Sequence, residues 1–213
     1  MTKTQVSPKT TTRRITSLRA FAGWVNLEPF LKGFIAPKPG RPFPHPIPEG
    51  MEGIARMMQL ARNHEQEALI GLCGYVGLRI TEARGICVAH FDIQDQILTV
   101  RGKGDKTRYV PLSKKAFNSV LPAYILALDA PEPHRLINYT DRSARHVITT
   151  LGKRAGLRRT ISSHDLRHTF GTAALDAGAN LRVVQELLGH ASSQTTEGYT
   201  AVRAESMREA VNF

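Results

Sequence analysis

Apolar positions recur along this chain at two different periods, and the changes of period mark out its elements. Ile15, Leu18, Phe21, Ala22 and Val25 fall three or four apart, opposite Arg13, Arg14 and Arg19, so they form one face of a helix that Ser7-Pro8 can start with a serine N-cap and a first-turn proline. One helix cannot bury that stripe by itself and needs the main domain or another subunit to cover it. Met51 to Arg62 and Glu65 to Gly77 read as two further helices, the second apolar nearly all round through Leu69, Ile70, Leu72, Cys73 and Val76. Between Gly85 and Ser113 the period drops to two. Ile86 to Phe91, Gln96 to Arg101 and Thr107 to Leu112 are predicted as three strands of an antiparallel meander, with turns at Asp92 to Asp95 and at Gly102-Lys103-Gly104-Asp105.

The helical period then returns. A helix is predicted from Ser113 to Leu128, interrupted or restarted at Pro122. Another, capped by Thr140 or Asp141, runs to about Ala155, with Val147, Ile148 and Leu151 inward and Arg142, Arg145, Lys153 and Arg154 outward. In the stretch from Ser162 to Thr200, Leu166, Phe170, Ala173 and Ala174 form a buried stripe, while His164 and Arg167 share a separate face at i and i+3. Gly178 can end that helix in a left-handed cap, and Asn180 can cap the next, whose apolar positions are Leu181, Val184, Leu187 and Leu188. Gly189 ends it just before His190, and a short helical turn from Ser193 leads to Tyr199. Val202, Met207, Val211 and Phe213 make a partly amphipathic tail. The fold class expected is α+β, mainly helical with a small three-stranded antiparallel sheet at one edge.

Composition adds a partner and a compartment. At 213 residues, 41% hydrophobic and 22% charged, the chain has room for one sizeable domain and an appendage, with no apolar run long enough for a membrane span. Met1 to Thr12 has no apolar core and does not read as a signal peptide; two cysteines without framework spacing point to a reducing, cytoplasmic setting. The net charge of +11 points to a polyanion, and it is concentrated: eight Lys or Arg against two acidic residues in 1–50, and the same again from Arg135 to Arg167. Proline stands at nearly every second position of Pro37 to Pro48, an extended stretch that at about 3.1 Å per residue reaches roughly 37 Å. The division expected is a basic helical segment over 1–36, a proline-rich linker over 37–48 and the main domain over 49–213.

Two basic groups, an imidazole at a helix end and a phenol in the Ser162 to Thr200 stretch make a set suited to gripping and attacking a phosphate. Arg79 follows a glycine and lies between apolar residues, where it is expensive to bury unless it is paired or functional, and Glu82 lies three residues on, able to orient its guanidinium. Lys103 is placed on a glycine-flanked hairpin tip whose charge Lys106 and Arg108 extend; the tip lacks the spacing of a nucleotide-binding loop. Arg142, Arg145 and Lys153 give the helix before Ala155 the charge of one that could enter a major groove, and a solvated face is the competing account. His164 and His168 have the i, i+4 spacing of a zinc pair, but the adjacent glutamate is missing and Arg167 would set a cation beside the metal, so no metal is expected. No glycine-flanked elbow serine is present, and neither a serine nor a cysteine nucleophile is expected.

In that order, Gly77-Leu78-Arg79-Ile80-Thr81-Glu82, Gly102-Lys103-Gly104-Asp105-Lys106-Thr107-Arg108-Tyr109-Val110-Pro111, His164-Asp165-Leu166-Arg167-His168, Leu188-Gly189-His190 and Thr195-Thr196-Glu197-Gly198-Tyr199 resemble the catalytic domain of the tyrosine recombinases, the phage integrase family. Each block alone is weak; five in order from about Glu49 to the C-terminus are specific. The resemblance implies that Tyr199 is the nucleophile toward a DNA phosphodiester, giving a 3′-phosphotyrosyl link and a free 5′-hydroxyl. It further implies that Arg79 and Arg167 clamp the non-bridging oxygens with His190, that Lys103 protonates the leaving oxygen and that His164 is a general base, with no metal and no ATP. His168 would then be a core or supporting histidine.

The basic N-terminal helix, with Arg13 and Arg14, is similar to the last helix of the family's core-binding domain, although that domain usually has several helices and this chain has room for about one. Relatives use the C-terminal tail to link four subunits around two duplexes, which implies a homo-tetramer on double-stranded DNA, with accessory DNA-bending proteins as possible partners. A site-specific recombinase of a phage or other mobile element is the leading expectation. A type IB topoisomerase-like relaxation activity and an integrase-derived DNA-binding regulator are the alternatives.

Overall fold

The computed structural model describes residues 8–27, 45–102, 107–131, 133–189 and 201–213, and forms two compact units, Met1–Phe43 and Pro44–Phe213. In the first unit the one described helix is α1 (Pro8–Trp24). Ile15 and Ala22 are buried on it, whereas Leu18, Phe21 and Trp24 are exposed together with Arg13, Arg14 and Arg19. Two of the five stripe positions expected to be covered, Leu18 and Phe21, are therefore open, and the rings of Phe21 and Trp24 lie 6.0 Å apart. Ser7 and most of the proline-rich stretch lie outside the described residues.

The second unit is built around a helix whose last two turns water does not reach. α3 (His64–Gly74) is buried at every position from Ala68 to Gly74, as its nearly all-round apolar pattern requires, and it packs against α2 (Gly50–Gln59), α4 (Ile80–Arg84), α5 (Lys114–Leu128) and α7 (Ser163–Asp176). Asn63 caps α3 by accepting from Gln66 N–H. α6 (Asp141–Arg154) is capped by Thr140, and it turns Ala144, Ile148, Leu151 and Gly152 inward. Pro122 does not interrupt α5, which is continuous. Proline removes only its own hydrogen bond, while Ala116, Ser119, Val120, Ala123 and Ala127 remain buried along the face against α3. The last residues of the proline-rich stretch join this core: Ile47 is buried, and its N–H donates to Thr169 Oγ1 at 2.8 Å.

The sheet is an antiparallel meander of β1 (Phe91–Asp92), β2 (Ile97–Arg101) and β3 (Thr107–Pro111), in sequence order, with Val100 opposite Arg108 and Leu98 opposite Val110. The second and third strands lie where the alternation puts them. The first does not: Ile86 to Phe91 is not an extended strand, because Val88–His90 forms one 3₁₀ turn and only Phe91 enters the ladder. His90 Nδ1 takes the Cys87 N–H at 3.1 Å, a local bond that replaces a ladder bond. Cys87 instead makes an isolated bridge to Arg135.

α8 (Leu181–Leu187), capped by Asn180, and α9 (Ala201–Val211) close the unit against β3. The tail, expected to reach a neighbouring subunit, packs here on its own chain. Met207, Ala210 and Val211 join the core, and the Phe213 ring lies 5.8 Å from that of Phe170. No helix of the described residues is long and apolar enough to cross a membrane.

Candidate active site

An α-helix leaves its last carbonyls without internal partners. At the end of α8 three consecutive ones are taken by three arginines from three different elements. Leu187 O accepts from Arg108 Nε at 3.0 Å, Leu188 O accepts from Arg167 Nη2, and Gly189 O accepts from Arg79 Nη2 at 3.1 Å. Cations at this end also match the negative pole of the helix dipole. Gly189 makes the turn possible: its φ is +64°, and a Cβ there would lie 2.8 Å from Arg108 Nη1.

One carboxylate anchors the cluster. Arg79 is the N-cap residue of α4, and Glu82 is its third residue, so the side chain folds back to accept from Arg79 N–H at 2.9 Å and from Arg79 Nη1 at 2.8 Å. The same carboxylate receives Arg108 through both terminal nitrogens, at 3.1 and 2.9 Å. Glu82 is 6% exposed at its side chain; burial alone would raise its pKa, but hydrogen bonds and charge from Arg108, then hydrogen bonds from Arg79, hold it below the usual carboxylate range. Glu82 thus contacts Arg79 across the three-residue spacing.

Arg167 comes from α7, where it is 5% exposed and donates to Gly77 O at 2.7 Å as well as to Leu188 O. Burial, followed by the charge of Arg79, lowers its pKa to about 10, so it remains a cation at neutral pH. Gly77 has φ +74°, and a Cβ there would meet Phe170 Cδ1 at 2.5 Å, which lets its carbonyl sit against α7. Cys73 is fully buried, and its thiol is pushed up to about 12 by that burial. Two guanidinium groups, Arg79 and Arg108, converge on one carboxylate while Arg167 is held by carbonyls, and Arg79, at 38% exposure, is the open side of the cluster.

α7 starts with Ser162 and Asp165 capping each other: Ser162 N–H donates to Asp165 at 2.7 Å, and Ser162 Oγ accepts from Asp165 N–H. Arg159 ties that carboxylate, at 2.8 Å, to the carbonyls of His45 and Pro46. His164 and Arg167 part company on this helix, His164 being exposed while Arg167 is buried. His168 is also exposed rather than a core residue, and its pKa is lowered by partial burial and then by His164. Among the described residues no group of three or more His, Cys, Asp or Glu is placed to hold a metal ion.

Lys103, Lys106, His190 and Tyr199 lie outside the described residues. Arg142, Arg145 and Lys153 are exposed along α6, where Arg145 also pairs with Asp141 at 2.7 Å. Arg108, expected to extend the charge of the hairpin tip, is instead turned inward and 14% exposed. The signal was available: Arg108 alternates in phase with buried Val110, so it shares the inward face of β3.

The profile of the phage integrase family matches residues 51–206. The chain belongs to this family. It is thus a tyrosine recombinase, as the five blocks implied. It is 33% identical to tyrosine recombinase XerC of Anoxybacillus flavithermus, over 95% of this chain and 74% of that protein. Among solved structures, the integrase from mycobacterium phage Brujita is similar with a TM-score of 0.65 and 29% identity, covering 97% of this chain and 72% of that one. The XerH site-specific recombinase, bound to a palindromic difH substrate in a post-cleavage complex, is similar with a TM-score of 0.61 and 26% identity, covering 79% of this chain and 53% of that one. As a tyrosine recombinase, the chain has the expected fold class, mainly helical with one small antiparallel sheet.

Proposed function

We propose that this recombinase cleaves and rejoins double-stranded DNA at specific sites through a covalent tyrosyl intermediate, in the cytoplasm. The observation that carries the proposal is the convergence of Arg79 and Arg167, from α4 and α7, on the adjacent carbonyls of Leu188 and Gly189. The fold has oriented both guanidiniums before substrate arrives, so their charge needs no reorganisation as a phosphate becomes pentavalent. The Tyr199 phenol oxygen attacks phosphorus, and its proton passes to His164. The 5′-oxygen leaves with a proton from Lys103, and His190 donates to a non-bridging oxygen. The reverse sequence rejoins the strand, and the ester bond energy is kept in the phosphotyrosine.

Exposed Arg13, Arg14, Arg142, Arg145 and Lys153, with Lys106, would hold the flanking phosphates. Four copies would assemble on paired sites, with α9 exchanging the Met207, Ala210 and Val211 contacts it makes on its own chain for the same contacts on a neighbour; accessory DNA-bending proteins would assist where sites are far apart. A nicked suicide duplex incubated with the protein in EDTA tests the chemistry. A denaturant-resistant protein–DNA adduct is expected with the wild type and none with Tyr199→Phe; an adduct that persists in the variant overturns the mechanism.

A further inference from the structure

Arg108, like Arg167, belongs to the buried part of the guanidinium cluster, but of the two it alone joins the carboxylate of Glu82 to the end of α8. Three of its N–H groups are committed within the protein, one to Leu187 O and two to the two oxygens of Glu82. Its guanidinium also lies flush against Gly189, so it touches the carboxylate that holds Arg79 and the turn whose carbonyl receives Arg79. Arg79 is therefore held between two groups, Glu82 and Gly189 O; Arg108 bonds the first and lies beside the glycine that carries the second.

The charges explain why a third arginine is needed. Two like charges, Arg79 and Arg167, approach adjacent carbonyls, and burial first, then the charge of Arg79, lower the pKa of Arg167. Glu82 offsets that repulsion, but tied to Arg79 alone, through its N–H and Nη1, the carboxylate would keep some freedom to turn. The bidentate fork of Arg108 occupies both carboxylate oxygens in one plane and removes that freedom. A lysine could supply the charge but neither the fork nor the Nε donor to Leu187 O.

Resting on the recombinase reading above, we propose that Arg108 is a positioning residue for strand cleavage: it touches no phosphate, but through Glu82 and the Leu187–Gly189 turn it sets the direction of Arg79. Its place on β3, opposite Val100, sets that strand against the end of α8.

The test is single-turnover cleavage of the nicked suicide duplex by the full chain, with DNA binding measured across a salt series. For Arg108→Gln, cleavage at saturating protein is expected to fall by about 10²-fold, the loss associated with misplacing a catalytic group by about 1 Å. Its DNA affinity and the slope of log affinity against log salt are expected to match the wild type, whereas losing a phosphate contact would lower that slope by about one. Arg108→Lys is expected to stay slow despite keeping the charge. All rates are taken well below each variant's measured Tm, so that lost stability cannot imitate lost positioning. Undiminished cleavage in Arg108→Gln, full activity in Arg108→Lys, or a salt slope reduced by about one overturns the inference alone. Absence of any adduct with the wild type overturns the recombinase reading and this inference with it.

Discussion

At the end of α8, Arg108 is 14% exposed and Arg167 5%, each with its donors fixed on carbonyls or on one carboxylate; on α6, Arg145 keeps 53% of its side chain in water and pairs with an Asp141 that is itself 45% exposed. The two regions use the same residue type for different work. In the first, folding has already covered the desolvation and ordering of the cations, so removing one strands buried partners. In the second, each charge is screened, its pair is worth about 0–1 kcal/mol, and its value lies in the counterions a DNA backbone would release on contact.

The comparison is sharpened most by Arg167→Lys, which keeps a cation but cannot serve Gly77 O and Leu188 O together. Adduct formation is expected to slow by about 10²- to 10³-fold, as for loss of one fixed donor to a developing oxyanion, and a loss under about tenfold would show that charge rather than orientation matters. Next comes Glu82→Gln, which leaves the cluster without its carboxylate. Urea denaturation should report a loss of about 3 kcal/mol, and an effect under about 1 kcal/mol would break the contrast between the regions.

Because the folded pKa of Glu82 lies below its ordinary 4.5, its contribution is fully present above about pH 4.5 and disappears as pH falls through the folded value. The acid limb of the stability curve should therefore be shallower in Glu82→Gln. Gly77→Ala, with φ +74° and a Cβ 2.5 Å from Phe170 Cδ1, is expected to destabilise by about 1–3 kcal/mol, read as a shift in Tm. Smallest are single alanine substitutions at Arg142, Arg145 and Lys153 on α6. They should change stability by no more than about 0.5 kcal/mol, while each lowers the salt slope of DNA binding by about one. A stability loss as large as that of Glu82→Gln on this face would erase the distinction.

Local chemistry made much of this legible. Asn63, Thr140, Ser162 and Asn180 each cap a helix through a side chain that needs only its own next turn, and the apolar period of α3 allows no exposed face. Where a local bond competed with the pattern, the pattern failed: His90 took the Cys87 N–H, and an expected strand became a 3₁₀ turn. Pro122 likewise stayed inside α5 because the buried face on α3 outweighs one missing hydrogen bond.

By itself the sequence determined most of the elements, the family and the candidates Arg79, Lys103, His164, Arg167, His190 and Tyr199, since spacing and residue type are local properties of the chain. It also paired Arg79 with Glu82, three residues apart on one turn. Only the tertiary structure decided which arginines are structural tethers and which remain on the surface. Arg108 and Lys153 are alike in charge, but one strand face docks on the end of α8 and one helix face meets water. That outcome depends on the long-range packing of β3, α4, α7 and α8, which no short window of residues encodes.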